Sequence, residues 1–184
     1  LTGPVLTKYD ANSDSSYIAP QLDDLVNIAD KQLTSITNEL SWDYEQGLCI
    51  MDTPKAQGIC GFPEEKEYHL KDLSISSTND YVVVNVVSMD QKDLALSGKI
   101  LVQVGTVYQP TGWKETATSF SPNGQSAPID GYQIESLGQM PLKAADTEVT
   151  LKLKNIPAKY AWQLDAAGYR TKQLELQSDG DETI

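Results

Sequence analysis

Short β-branched segments, separated by turn-forming residues, constrain the fold of this chain more than any other feature. Turn signals recur about every 8–15 residues, and runs rich in Val, Ile, Thr and Tyr lie between them. This rhythm is typical of a β-sandwich or β-barrel. The sequence has no long hydrophobic repeat of 3.6 residues that would predict packed helices. We therefore expect an all-β fold, an antiparallel β-sandwich of jelly-roll or immunoglobulin-like type with little helix.

Two segments in the middle of the chain define the expected strands most clearly. Residues 81–88 are apolar at nearly every position, which predicts a central strand between two layers. In residues 99–108, Ile100, Val102 and Val104 share one face because side chains alternate along a strand. Both segments are bounded by breakers, so each is expected to be a separate strand.

The last third of the chain alternates as regularly. Val149, Leu151 and Leu153 point one way, and the residues between them are polar, which predicts a strand with one solvated face. Around residues 165–168 we expect a hairpin turn. Gly168 can supply the positive φ that such a turn often needs.

Two stretches fit a strand poorly. Residues 118–131 are rich in turn formers and predict a long loop. Residues 22–29 carry apolar side chains at helical spacing, so one short amphipathic helix is an alternative to a strand there. The sequence has neither a repeat nor a low-complexity linker. We expect residues 1–177 to form one β-sandwich domain and residues 178–184 to form an acidic, flexible tail.

The net charge excludes several classes of partner. The chain has 14 Lys and Arg against 26 Asp and Glu, a net charge of −12. Such a surface repels the phosphates of nucleic acid and of anionic membranes, and also sulfated glycans. No apolar run approaches the roughly 20 residues that span a bilayer. We expect no nucleic-acid and no membrane partner. Because the sequence begins at Leu1 and shows no signal peptide, we expect a processed chain or a piece of a larger one.

Motifs for catalysis and metal binding are weak. His69 is the only histidine and lies in no motif, so we interpret it as an ordinary surface or half-buried residue. Residues 10–16 resemble the start of a calcium loop, but Ser15 replaces the required glycine and Gln21 the closing glutamate. A glycosidase pair among the 26 acids stays open until distances are known. We expect no catalytic residue, metal site or cofactor, with a structural calcium ion as the alternative.

Aromatic side chains are the best candidates for a binding site. Trp113 and Tyr108 flank a predicted turn, and Tyr132 follows the predicted long loop. Because loops cluster at the ends of a sandwich, we expect these three to line one end. Their rings offer rigid apolar area for the flat faces of neutral sugars, so they are our candidate carbohydrate-binding residues. Trp42 and Trp162 fall on alternating strand positions, and we interpret them as core residues.

The two cysteines lie symmetrically about a predicted turn. Pro54 pre-sets φ for the second position of a turn, so we expect the chain to fold about the bond between Pro54 and Lys55. A regular hairpin then places Cys49 directly opposite Cys60. Opposed residues have Cα atoms about 4.5–5.5 Å apart, which a disulfide can bridge. We expect a disulfide between Cys49 and Cys60. Two free buried thiols, or a bulged register, are the alternatives.

Residues 40–62 contain an ordered set of residues: a Trp-Asp pair, a strand, an Asp-Thr-Pro turn, then a glutamine and a glycine. Its members are Trp42, Asp43, Asp52, Thr53, Pro54, Gln57 and Gly61. The arrangement resembles a segment found after the catalytic barrel in large secreted bacterial glycoside hydrolases of the agarase and mannanase kind. Residues 1–5, 88–102 and 160–170 are similar to further pieces of the same module, in the same order.

The resemblance implies a β-sandwich accessory domain, usually C-terminal to the barrel, of a secreted or cell-surface enzyme. In such enzymes the catalytic carboxylates lie on the barrel, so no catalytic residue carries over and the isolated chain is expected not to be an enzyme. Thr111, Gly112 and Trp113 depart from the pattern, because a smaller apolar residue is common there.

Two functions follow from the resemblance. The first is a non-catalytic domain that supports the catalytic domain of the same polypeptide. The alternative is a carbohydrate-binding module that holds the enzyme on a neutral polysaccharide or oligosaccharide, such as agarose or a plant β-glycan. Exposed aromatic rings on one platform would favour the second function, and an apolar patch on an outer sheet face would favour the first.

Overall fold

Strands form where branched and aromatic residues recur, and helix is confined to short segments. The computed structural model describes residues 20–121, 128–179 and 182–183. These are mostly antiparallel β-sheet, with 56% strand and 5% helix, which confirms the predicted all-β, sandwich-like fold with little helix. The two 3-10 helices within these ranges span Pro20–Leu25 and Leu94–Leu96. The first passes directly into a strand, so residues 22–29 form no amphipathic α-helix.

The chain divides into two compact units, where the sequence predicted one domain. The first unit comprises Leu1–Gly105 and Thr147–Ile184, and the second comprises Thr106–Asp146. Strands are numbered in chain order. The first unit contains the two large sheets, and the second is built on one long hairpin.

The larger sheet of the first unit has seven antiparallel strands. In spatial order they are β1 (Val26–Asn27), β2 (Gln32–Thr34), β3 (Leu40–Asp43), β4 (Leu48–Asp52), β5 (Ala56–Gly61), β8 (Val82–Ser88) and β9 (Ile100–Gly105). The chain meanders through the first five and returns as β8 after crossing the second sheet. This return joins residues that are distant in sequence on one sheet face.

The second sheet has five strands. In spatial order they are β15 (Ser178–Asp179), β16 (Glu182–Thr183), β12 (Val149–Leu153), β7 (Leu73–Ser77) and β6 (Glu67–His69). Because Leu153 is the partner of Thr183, part of residues 178–184 belongs to this sheet, where the sequence predicted a flexible tail. A separate hairpin joins β13 (Ala161–Leu164) to β14 (Arg170–Leu174), and Gly168 in its turn has φ of 85°, as predicted.

The core of the first unit is mainly apolar. Its buried members are Leu48, Ile59, Leu70, Leu73, Ile75, Val82, Val84, Val86, Leu94 and Ile156. Fully burying each such aliphatic side chain stabilises the fold by about 1.5–3 kcal/mol. Val149, Leu151 and Leu153 pack against this core from one face of β12, as their alternation predicted. On β8 only one face is enclosed, since Val83 and Val87 are half-buried; the predicted burial on both faces is not found.

The second unit is a hairpin of β10 (Tyr108–Phe120) and β11 (Ile129–Ala144). Residues 118–120 and 129–131 of the predicted loop are therefore strand, and residues 122–127 lie outside the described residues. The register shifts at two points, between Pro110 and Thr111 and again between Lys114 and Glu115. Gly138 lies beside the first shift with φ of 65°, and an added Cβ would lie 2.7 Å from the Thr111 carbonyl oxygen. Only glycine fits there without a shift of the backbone.

Candidate functional site

The three predicted sugar-binding residues lie on the hairpin of the second unit but do not gather. Trp113 is within β10, opposite Leu137, and not in a turn. Tyr108 precedes it by five residues, roughly 16 Å along a strand. Tyr132 is opposite Ala117, four residues beyond Trp113, or roughly 13 Å. The expected cluster at one end is not formed, because the predicted turn is part of a continuous strand that spreads the rings along its length.

Trp113, Tyr108 and Tyr132 differ in how exposed their rings are. Trp113 is half-buried, and its indole N–H donates to Glu115 Oε2 at 2.8 Å. Tyr108 and Tyr132 are mostly exposed. Their accessible rings remain separate candidates for ligand contact, and a role in sugar binding stays a prediction for each.

His69, the histidine considered for catalysis, lies at the surface beside a hydroxyl and an ammonium group. His69 is exposed, with Nδ1 2.8 Å from the Ser74 hydroxyl and 3.4 Å from the Lys154 ammonium. Thus a cation, not the carboxylate of a catalytic triad, faces the ring. Among the described residues, no group of three or more His, Cys, Asp or Glu is placed to hold a metal ion. The possible calcium loop at residues 10–16 lies outside the described residues.

The described chain has no helix that is long and apolar enough to cross a bilayer.

Residues of the 40–62 segment build tight turns. The Asp43 carboxylate accepts the backbone N–H of Gln46 at 2.8 Å and of Glu45 at 3.0 Å, and these bonds, the first above all, lower the pKa of Asp43. Thr53 closes the next turn, because its N–H and its hydroxyl both donate to the carbonyl of Ala56. These side chains satisfy backbone groups at strand ends.

Two more members of the segment fix the packing of β5. Gln57 is fully buried and bonds to Asp72, in the turn between β6 and β7 of the other sheet, at 2.9 Å. Gly61 has φ of 137°, and an added Cβ would lie 2.0 Å from the Gly47 carbonyl oxygen. Gln57 and Gly61 therefore contribute to the packing within and between the two sheets of the first unit.

An apolar outer face is the clearest candidate for a binding surface. One row of register partners runs across the seven-stranded sheet, on the side away from the core; it consists of Leu33, Trp42, Cys49, Cys60 and Val83. Leu40 and Met51 are register partners in the next row on the same face. Phe62 and Tyr81 lie on this face too, beyond the opposite edge of the first row. We call these nine residues the outer face. A sheet face that meets water usually carries polar side chains, so this one has the composition of a covered surface.

The outer face exposes large side chains. Trp42 is 46% exposed, Leu40 50% and Phe62 49%. The Trp42 ring lies 5.8 Å from that of Tyr44 with the planes at 59°, and Phe62 lies 5.4 Å from Tyr81 at 74°. Aromatic pairs at these distances hold one another in place. Trp42 and Phe62 are therefore both exposed and packed against a neighbouring ring.

Trp42 and Trp162 differ from their predicted place in the core. Trp42 is opposite Cys49 and shares its exposed face, whereas the adjacent Leu48 enters the core. Trp162 is 39% exposed on the β13–β14 hairpin, where the Arg170 guanidinium lies 5.1 Å from its ring. Alternation correctly separates two faces of a strand, but it does not say which face a second layer covers.

Leu40, Phe62 and Tyr81 are site residues that the sequence pattern did not predict. The sequence does indicate that the outer face is apolar. Residues 48–51 and 59–62 are apolar at consecutive positions, which places apolar groups on both faces of a strand. The missing information was that β8 returns beside β5, which brings Tyr81 next to Phe62.

The cysteine hairpin has the predicted register throughout. Asp52 pairs with Gln57, and Cys49 pairs with Cys60. Both thiols are exposed and free. Partial burial, and next the neighbouring Cys60, raise the pKa of Cys49. The Tyr81 hydroxyl lies 3.5 Å from the Cys60 sulfur, and this hydrogen bond raises the pKa of Tyr81.

In comparisons with known proteins, no protein-family model matches the chain, and no curated protein and no solved structure is found to match it.

Proposed function

We propose that this chain is a non-catalytic accessory domain of a secreted bacterial polysaccharide-degrading glycoside hydrolase, and that its outer face docks on the catalytic barrel of the same polypeptide. The observation that supports this is the apolar row across the seven-stranded sheet, from Leu33 to Val83, whose central members Trp42, Cys49 and Cys60 are exposed. The barrel as occupant, and the absence of catalytic residues from this chain, follow from the resemblance of residues 40–62.

The composition of the outer face suits a protein partner. Interface centres are enriched in Trp, Tyr, Phe and Met and depleted in charge, and Trp42, Met51, Phe62 and Tyr81 lie on this face. Burial of apolar surface contributes about 25 cal/mol per Å². Because Trp42 and Met51 lie on strands that are hydrogen-bonded on both sides, and Phe62 and Tyr81 directly adjoin such strands, little backbone freedom is lost on docking.

Carbohydrate binding is the second candidate, since the same rings would stack on the apolar faces of a sugar. The angles between the ring planes favour protein docking over sugar stacking. Trp42 and Tyr44 are inclined by 59°, and Phe62 and Tyr81 by 74°, so neither pair forms one flat platform. The net charge of −12 restricts a glycan ligand to neutral polymers such as agarose, mannan, xylan or cellulose.

Tryptophan fluorescence distinguishes docking from an open face. Two variants each keep one tryptophan, Trp42 in one and Trp162 in the other, with phenylalanine at the remaining two positions. Acrylamide quenching is measured for each chain alone and for the full polypeptide that its gene encodes. We expect protection of Trp42 in the full polypeptide and little change for Trp162. A gene that encodes no barrel, or equal quenching of Trp42 in both contexts, would contradict the proposal.

Affinity electrophoresis in gels of agarose, mannan, xylan and cellulose tests the second candidate. Retardation that is lost in Trp42→Ala but kept in Trp162→Ala would assign glycan binding to the outer face. Retardation lost only in Trp113→Ala would assign it to the β10–β11 hairpin. Unretarded migration in all four gels, together with protection of Trp42, is the result expected for a docking domain.

A further inference from the structure

Cys49 and Cys60 form a pair of opposed thiols on an exposed sheet face. They are register partners on β4 and β5, and both are accessible. Exposure matters because a disulfide-exchange reagent must reach a sulfur atom along the axis of the new bond. A pair buried in a core would act only as packing.

The hydrogen-bond pattern of the hairpin gives the spacing of the pair. The Thr53 N–H donates to the Ala56 carbonyl at 2.9 Å, which makes the pair next to the turn hydrogen-bonded. Bonded and non-bonded pairs then alternate along β4 and β5, so Cys49 and Cys60, four pairs later, are again a bonded pair. Such pairs have Cα atoms about 5.5 Å apart, within the range of about 4.4–6.8 Å that disulfides span.

The surroundings distinguish the two sulfurs. The Tyr81 hydroxyl, 3.5 Å from Cys60, can donate to a thiolate at that position. Cys49 instead lies opposite Trp42 in a non-bonded pair, the closer type, and partial burial raises its pKa. Tyr81 retains its proton, since the contact with Cys60 raises the pKa of the phenol.

We propose that Cys49 and Cys60 are a dithiol–disulfide exchange site, in which Cys60 attacks a small-molecule disulfide and Cys49 resolves the product. Both cysteines belong to the outer face, so the exchange reaction is that of the chain with this face uncovered, and a docked partner would block it.

The exchange balances in two steps. The Cys60 thiolate attacks one sulfur of the small disulfide; a mixed disulfide forms, the original bond breaks, and the first small thiol leaves with the proton that Cys60 lost. The Cys49 thiolate then attacks the Cys60 sulfur, and the second small thiol leaves with the proton of Cys49. The protein pair loses two electrons and two protons, and the small disulfide gains both.

The test uses glutathione and mass spectrometry. The whole chain, Cys49→Ser and Cys60→Ser are each treated with oxidised glutathione at neutral pH, quenched by alkylation and weighed. We expect the parent chain to lose both alkylation sites without retained glutathione, and dithiothreitol to restore them. Cys49→Ser should retain one glutathione on Cys60. Cys60→Ser should acquire glutathione on Cys49 roughly tenfold more slowly.

Further variants test the role of Tyr81 and the fold. Adding Tyr81→Phe to Cys49→Ser should slow the reaction of Cys60 several-fold, and circular dichroism checks that each variant keeps its β structure. Two retained glutathiones on the parent chain, or no reaction, would overturn the exchange site. Equal rates for the two single variants, or an unchanged rate in Tyr81→Phe, would overturn the assignment of Cys60 as the attacking residue.

Discussion

Gln57 and Asp72 join the two sheets of the first unit through reciprocal hydrogen bonds in its core. The Gln57 side-chain amide donates to Asp72 Oδ2 at 2.9 Å, and the Asp72 backbone N–H donates back to Gln57 Oε1 at 3.1 Å. Both residues are buried, and Asn155 bonds the second oxygen of Asp72 at 3.3 Å. A buried polar pair of this kind fixes the register of one sheet on the other, because any slip leaves both groups without partners.

Removing one member of this pair should destabilise the fold. We expect Gln57→Ala to lower the free energy of unfolding by about 2–4 kcal/mol, since the carboxyl and backbone N–H of Asp72 lose partners away from water. Gln103→Ala, at an exposed position of β9, is the matched control and should change it by less than about 0.5 kcal/mol. Urea unfolding of both variants measures the difference. Equal stabilities would show that water replaces the lost bonds.

Local patterns predicted those parts of the fold that depend on near neighbours. The Pro54–Lys55 turn sets the pairing of Cys49 with Cys60 because no residue interrupts the symmetry of the hairpin. The alternation of residues 149–153 likewise gave the correct core face of β12. In both cases the side-chain period of the strand and a single turn contain all the information required.

The candidate site depends on contacts that no local pattern contains. Phe62 and Tyr81 meet because β8 returns beside β5 after β6 and β7 join the other sheet. The predicted turn before Trp113 is a strand. Gly112 and Gly138 adopt positive φ near the point where the register of β10 and β11 shifts, so the chain continues as a strand through the distortion. Turn-forming residues in the sequence thus marked a distortion within a strand and not its end.

Gly58 should tolerate no side chain. It lies in β5 beside β8, and an added Cβ would lie 2.1 Å from the Val84 carbonyl oxygen, a backbone atom that cannot turn away. We expect Gly58→Ala to lower the free energy of unfolding by at least about 2 kcal/mol. Gly105→Ala, where no atom lies within 4 Å of the added group, should be neutral or slightly stabilising. Equal stabilities of the two variants in thermal and urea unfolding would contradict the close pairing of β5 with β8.

Asp90 should make stability fall at acid pH. Its carboxylate accepts the Ser97 hydroxyl at 2.7 Å and the Gly98 N–H at 2.9 Å, and these bonds, the first above all, hold the pKa of Asp90 well below its usual range. Because the folded-state pKa is depressed, the stabilisation is complete above the unfolded-state pKa of about 3.9 and is lost as the pH falls below it.

Asp90→Asn removes this dependence. The variant should be less stable than the parent chain at pH 7, and the gap should narrow as the pH is lowered below about 4. Asp93→Asn, in the same loop but without a side-chain capping bond, is the matched control. Urea midpoints measured from pH 7 to pH 3 decide the matter. Parallel curves for Asp90→Asn and the parent chain would show that the loop gains nothing from the ionised carboxylate.

Oxidation of the cysteine pair should stabilise the first unit. A bond between Cys49 and Cys60 closes a short loop and removes chain entropy from the unfolded state, which contributes on the order of 3 kcal/mol or less. The folded state already holds the two residues as register partners, so little movement is needed to form the bond. We therefore expect a higher urea midpoint after treatment with oxidised glutathione than in dithiothreitol. The double variant with serine at both positions should unfold identically in the two conditions. A parent chain that is less stable when oxidised would mean that strain in the bonded pair exceeds the entropic gain.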